Sequence, residues 1–271
     1  MGQALVDQIL PALARLQWPP NTQATLQGQK TFEVGLDKVD EFRGDPKVLG
    51  AALRVLQTSN SQPYAFAGVA YVLLAAARED NGHYAQSGLE AALLWLEKAQ
   101  ETEPDVPEIN VIEALIYIYG QRLDDARLVL DYLTRQNAAN YYLYRAETHY
   151  WQAREEPEQA LVWCQKAMGI APTLPQRLRL QSVLGDLLLA SNNLDAAVTT
   201  YQEALHFDNS NYLLWHNLSV AYWKQGNYDD AARSNQRALA LQDFPAGQEM
   251  AAALKQKLGG SKGLVNRLLG R

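Results

Sequence analysis

The feature that most limits what this chain can fold into is a repeat. Alanines recur at Ala92, Ala126, Ala160, Ala197 and Ala231, at intervals of 34, 34, 37 and 34 residues. Three further columns keep step with them. Seven residues after each alanine stands Ala99, Leu133, Ala167, Ala204 or Ala238. Nine residues before the last four stands Tyr117, Trp151, Leu188 or Tyr222, and three residues before those come Ala114, Thr148, Gly185 and Ser219. At a period between about 20 and 50 residues, each unit is one supersecondary element that buries its apolar face only against its neighbours, so the chain reads as a stack.

The columns predict two helices per unit. Small residues at one height let helix A approach helix B closely, and the large residue one turn later fills the remaining space. Gln225, Gly226 and Asn227, and likewise Ser191, Asn192 and Asn193, supply the turn between them. Asp195, Asp229 and Asp230 then fall in the first turn of helix B, where carboxylates suit the positive end of the helix dipole. Pro104, Pro107, Pro172 and Pro175 lie at element ends, and no alternating strand pattern is read.

Trp215, Leu218, Ser219, Tyr222, Ala231 and Ala238, within LLWHNLSVAYWKQGNYDDAARSNQRALAL, resemble the signature of the tetratricopeptide repeat (TPR), whose period is 34. Gly185, Tyr201, Ala204 and Leu205 match it in the preceding unit. The resemblance implies an all-α fold, a right-handed superhelical solenoid of helix pairs with degenerate terminal caps. Five units are assigned, 61–106, 107–140, 141–174, 178–211 and 212–245, with Pro175, Gln176 and Arg177 as the insertion behind the interval of 37. In the second unit Gly120 lies six residues before its alanine where the other turns suggest five, which predicts a helix A shifted by one residue.

The ends are less regular. In the first unit Tyr64, Gly68 and Tyr71 suit helix A, but Ala92 arrives twelve residues late. The excess predicts a protruding loop around Asp80 to Ser87, with Ser87 and Glu90 as a capping box opening helix B. Residues 1–60 read as a helix near Ala4 to Leu16 and a degenerate pair, Phe32 to Phe42 and Val48 to Leu56. Residues 246–258 read as a capping helix. Residues 259–271 read as a flexible basic tail jointed at Gly259, Gly260 and Gly263, with Leu264, Val265, Leu268 and Leu269 on one face among Lys262, Arg267 and Arg271.

Several function classes are set aside. With 48% hydrophobic and 20% charged residues the chain can bury a core. One cysteine, Cys164, cannot form an internal disulfide and reads as a buried packing thiol, which favours a reducing compartment. Asp7, Gln8 and Arg15 interrupt any leader-like apolar run, and no stretch approaches about 18 apolar residues, so a cytoplasmic location without stable membrane insertion is expected. A net charge of -6 argues against a nucleic-acid partner. His83, His149, His206 and His216 fall in different units with no metal spacing, and the Gly259 to Gly263 run lacks the strand and spacer of a phosphate loop. Glu113 and Glu147 share the column of Leu184 and Leu218, roughly one 10 Å helix-pair step apart. That is too far to share a proton, so each is expected to pair with a nearby Arg or Tyr or to face solvent. No enzyme activity, cofactor or metal is expected.

The resemblance implies a concave surface lined by helix A at repeat positions 2, 5, 9, 12 and 13. Its first half is apolar: Gln62, Ala65, Val69, Val72 and Leu73, then Glu108, Val111, Leu115, Ile118 and Tyr119. Its second half is polar and mildly basic: Tyr142, Arg145, His149, Gln152 and Ala153, then Arg179, Ser182, Asp186, Leu189 and Ala190, then Leu213, His216, Val220, Trp223 and Lys224. The Lys and Asn clamp of the chaperone-tail receptors is not assembled, since Arg145 and His149 are followed at the next position 6 by Val183. The expected function is a scaffold that binds a peptide or helix of a partner protein, with Val111, Leu115, Ile118 and Tyr119 as apolar anchors. Tyr142, Arg145, His149, Gln152, Arg179, Asp186, His216, Trp223 and Lys224 are the expected polar contacts. The alternative is a self-associating structural subunit, a homo-oligomer whose groove is filled by its own N-terminal segment.

Overall fold

The computed structural model describes residues 2–79, 82–136 and 140–268, and every regular element within them is a helix. The chain forms two compact units, Met1–Glu156 and Pro157–Arg271. The first holds α1 (Gly2–Leu13), α2 (Leu26–Val39), α3 (Pro46–Gln57), α4 (Gln62–Ala76), α5 (Gln86–Gln100), α6 (Pro107–Tyr119), α7 (Leu123–Arg135) and α8 (Tyr141–Ala153). The second holds α9 (Pro157–Ile170), α10 (Leu174–Ala190), α11 (Leu194–Phe207), α12 (Tyr212–Gln225), α13 (Tyr228–Leu241) and α14 (Pro245–Leu268). Among the described residues no helix is long and apolar enough to cross a membrane.

The repeat columns are the core. Every alanine of the 34-residue column, Ala92 through Ala231, is buried, as are Ala99, Leu133, Ala167, Ala204 and Ala238 seven residues on. A Cβ on Gly185 would overlap the ring of Tyr201, so the small residue of α10 is what admits the aromatic of α11. Helix α4 is apolar all round because α1, α2, α3, α5 and α6 all pack against it. Local chemistry starts the helices: the side chains of Thr25, Asp45 and Asn140 accept hydrogen bonds from the amides of Gly28, Lys47 and Leu143. The insertion at Pro175 to Arg177 is absorbed as extra N-terminal length of α10, capped by Thr173.

Three sequence expectations are corrected. Ser87 does not open a capping box. α5 begins at Gln86 with Ala85 as its uncapped N-cap, and Ser87, already inside the helix, donates its hydroxyl to Gln3 of α1. That start is fixed by the loop's backbone, where the Ala85 amide donates to the Ala77 carbonyl at 2.8 Å. Helix A of the second repeat, α6, is not shifted: Gly120 has an ordinary φ of -82° and the left-handed residue is Gln121, five before Ala126, in step with Glu155, Asn192 and Gly226. The turn, not its glycine, sets the register. The C-terminal helix runs on past Leu258 to Leu268, since glycines weaken a helix by about 1 kcal/mol each without stopping it as proline does. The amphipathic face expected over Leu264, Val265, Leu268 and Leu269 rests on side chains outside those described.

The left-handed column gives a first expected result. Gln121 holds a φ of 60° that only glycine adopts without cost, whereas Gly226 holds 80° with no such penalty. Gln121→Gly should stabilise the chain by up to about 1 kcal/mol, strain relief outweighing the extra freedom of the unfolded glycine, and Gly226→Ala should destabilise it by about 1 kcal/mol. Urea unfolding of the two variants checks the opposite signs.

Candidate protein-binding surface

In the first unit the helix A face is covered. Val111, Leu115 and Ile118 on α6 are 1%, 4% and 1% exposed, and Tyr142 on α8 is buried. α2 packs on α4 and, with its flanks, reaches α6 and α8 through side chains. Gln29 Nε2 of α2 donates to Glu108 Oε1 of α6 at 3.3 Å, and the Ala24 amide donates to Glu103 Oε1 at 2.8 Å. At the other end of α2, Asp40 accepts both guanidinium nitrogens of Arg145 from α8, at 2.6 and 2.9 Å, and the Tyr71 hydroxyl of α4 at 2.5 Å. Arg145 Nη2 also donates to Tyr71 Oη at 2.7 Å. Burial works against the Arg145 charge, yet the Asp40 carboxylate holds the guanidinium well above its ordinary range. Burial raises the Tyr142 hydroxyl too, helped by the carboxylates of Asp37 and Glu33 on α2.

Arg145 is therefore not the ligand-facing cation that the repeat positions suggest. It closes a network of Asp40, Tyr71 and Arg145 that sequence reasoning misses, because its members lie as far as 105 residues apart. Tyr119 and His149 instead border a pocket of 280 Å³ with Arg78, His83, Tyr84 and Gln121. Tyr84 stacks on Tyr119 at 4.6 Å, and His149 lies 5.8 Å from Tyr119 while its Nδ1 meets Gln152 Oε1 at 3.0 Å. Burial, then the Arg145 charge, push the His149 imidazole down to about 4, so it is neutral at physiological pH. Gln152 is thus occupied as the partner of His149.

The expected pairings of Glu113 and Glu147 are seen. Glu113 accepts from Gln100 at 2.9 Å and from Tyr117 at 3.1 Å, and Glu147 accepts two bonds from Arg127 at 3.0 and 2.8 Å.

In the second unit the helix A face is accessible. Leu213 and Lys224 of α12 are exposed, and His216, Val220 and Trp223 are partly so, as is Arg179 of α10. The His216 ring stands edge-on to Phe244 at 5.2 Å and burial lowers its pKa. Trp223 packs edge-on to Tyr228 at 5.0 Å. Asp186 of α10 faces inward: its Oδ1 accepts the Tyr201 hydroxyl at 2.6 Å and Asn217 Nδ2 at 2.7 Å. Burial pushes its carboxyl up to about 6 despite both hydrogen bonds. Cys164 is buried 3.6 Å from the Leu180 carbonyl, its thiol pushed up to about 12 by burial, which makes it a poor nucleophile.

Two family models match within the second unit, one described as TPR repeat over residues 185–226 and one as tetratricopeptide repeat over 214–244. Among solved structures, the Pseudomonas aeruginosa pilF structure is 14% identical with a TM-score of 0.60, covering 77% of this chain and 91% of that one. A structure of the Cut9-Hcn1 hetero-tetramer of the APC/C is 12% identical with a TM-score of 0.64, covering 84% and 46%. A thermophilic TPR protein of Thermus thermophilus is 18% identical with a TM-score of 0.51, covering 64% and 92%. At these identities the likeness concerns the fold alone. No curated protein matches the chain in sequence.

Proposed function

We propose that this chain, a tetratricopeptide-repeat protein, is a non-catalytic scaffold that holds a segment of a partner protein on the helix A face of its second unit. The observation that carries the reading is the contrast between the two faces. The apolar anchors Val111, Leu115 and Ile118 are buried inside the first unit, where α2 bonds to Glu108 of α6 and Arg145 of α8, whereas Leu213, Val220, Trp223 and Lys224 present aliphatic, aromatic and cationic groups to solvent. An indole beside an exposed lysine suits an apolar or aromatic side chain flanked by a carboxylate, and such partly buried aromatics carry much of the energy at interfaces. The bonds from α2 to the A helices α6 and α8 also support the second reading, a subunit whose groove is filled from within.

A photo-crosslinking residue in place of Leu213 should capture a partner, and the same residue in place of the buried Leu115 should link only within the chain. Trp223→Ala should abolish capture from position 213. Lys224→Glu should weaken it, most strongly at low salt, because exposed charges are screened as ionic strength rises. Capture from position 115 and not from 213 would overturn the assignment of the face, and a concentration-dependent dimer crosslinked through 213 would favour the self-associating subunit.

A further inference from the structure

The joints between repeats offer an internal comparison. Where α5 meets α6, Gln100, Glu113 and Tyr117 form a hydrogen-bonded plug. Each of these positions has a fixed offset from its column residue: Gln100 follows Ala99, Glu113 precedes Ala114, and Tyr117 lies three beyond it. At the joint of α11 with α12 the same offsets from Ala204 and Ser219 give Leu205, Leu218 and Tyr222. Two leucines thus stand where Gln100 and Glu113 pair in the earlier joint. Leu205 and Leu218 form an apolar floor beneath an open cleft of 540 Å³ between α11 and α13.

The cleft is preformed. The Tyr222 hydroxyl accepts from Gln202 at 2.8 Å, and the Trp215 indole donates to the Asn209 carbonyl at 2.9 Å, so both aromatic walls are fixed. Its outer wall on α13 is basic. Arg233 and Arg237 lie one turn apart, and the one carboxylate in the lining, Asp230, is held by Arg233 and Asn227. Arg237 has no carboxylate partner among the described residues. The volume falls within the range of about 300 to 1,000 Å³ typical of ligand sites.

We infer that this cleft is a second docking site, on the opposite side of α12 from the helix A face, for a partner helix that presents an apolar turn flanked by a carboxylate. Charge selects the occupant. The floor takes aliphatic side chains and the Arg237 edge takes an acid, which excludes this chain's own C-terminal stretch, rich in Lys255, Lys257, Lys262, Arg267 and Arg271. Backbone chemistry selects a helix: both walls are helices whose amides and carbonyls are already paired, so an extended peptide would leave its own backbone groups without partners, whereas a helix satisfies them internally.

The test uses the full chain and fluorescein-labelled helical peptides carrying leucines at i and i+4, read by fluorescence anisotropy. The version with flanking glutamates should bind, and the versions with flanking lysines, or with serine for leucine, should bind at least about tenfold more weakly, a difference of about 1.4 kcal/mol. Leu205→Gln with Leu218→Glu transplants the plug of the first unit and should remove binding. Arg237→Glu, an exposed change that spares the core, should reverse the preference between the acidic and basic peptides. Trp223→Ala should change nothing, which separates this site from the helix A face. Failure of the acidic peptide to bind, or equal binding to the wild type and to Arg237→Glu, would overturn the inference.

Discussion

Arg145→Met is expected to cost the first unit about 3 to 5 kcal/mol, a large part of the stability of a domain this size. Arg145 and Asp40 are 14% and 7% exposed, bonded twice to each other and both in contact with the Tyr71 hydroxyl. Removing the guanidinium leaves a buried carboxylate without the cation that held it and a tyrosine hydroxyl with one partner fewer, and the penalty is the desolvation of what remains. A methionine fills the volume, so cavity formation does not confuse the result. Two controls separate this from a binding role. Adding Asp40→Asn should restore part of the loss, giving a coupling energy in the range of about 0.5 to 3 kcal/mol. The cost should also change little between low and high salt, because a buried pair is poorly screened. Urea unfolding with hydrogen exchange should place the loss in residues 2–156 and spare residues 157–268. A cost below about 1 kcal/mol would mean that Arg145 is a surface residue free to meet a ligand.

Which features were legible in sequence follows from their range. The helix pairs, their turns and the buried columns depend on spacings inside one repeat, and Ala231 with Ala238, or Gly185 beneath Tyr201, record them directly. The Asp40 network leaves no such trace, since the repeat pattern says where Arg145 points and nothing about what α2 brings to it. The position map that names Val111 and Leu115 as anchors is silent as to occupancy, and both side chains are buried in the fold. Ser87 with Glu90 matched a local rule, and a backbone bond from the loop decided otherwise. The cleft beside Leu218 was legible in principle: two units place Glu in that column, at Glu113 and Glu147, and the later ones place Leu184 and Leu218. A column that changes from a hydrogen-bonded plug to a leucine marks a joint whose filling has to come from elsewhere.

Asp186→Asn is expected to stabilise the second unit at pH 7.5 by about 2 kcal/mol and to flatten its dependence on pH. The carboxyl titrates near 3.8 in an unfolded chain and is pushed up to about 6 in the fold by burial, so between those values the native state keeps a proton that the unfolded state has released. By linkage, stability is fully present below the unfolded value, falls as pH rises through the window, and is lost above the folded value. At about 1.4 kcal/mol per pKa unit, a shift of this size corresponds to roughly 2 to 3 kcal/mol. Asparagine keeps the useful geometry, because Tyr201 and Asn217 both donate to the same oxygen, Oδ1, and an amide carbonyl accepts both. His216 in the same unit has the opposite sign, its pKa lowered by burial, so its contribution is lost as pH falls. The difference between variant and wild type cancels that term. Chemical denaturation at pH 3.5 and 7.5 should therefore show the variant close to wild type at the lower pH and clearly more stable at the higher. A variant less stable at pH 7.5, or one with an unchanged slope, would mean that the Asp186 carboxylate is better solvated than its enclosure by Tyr201 and Asn217 implies.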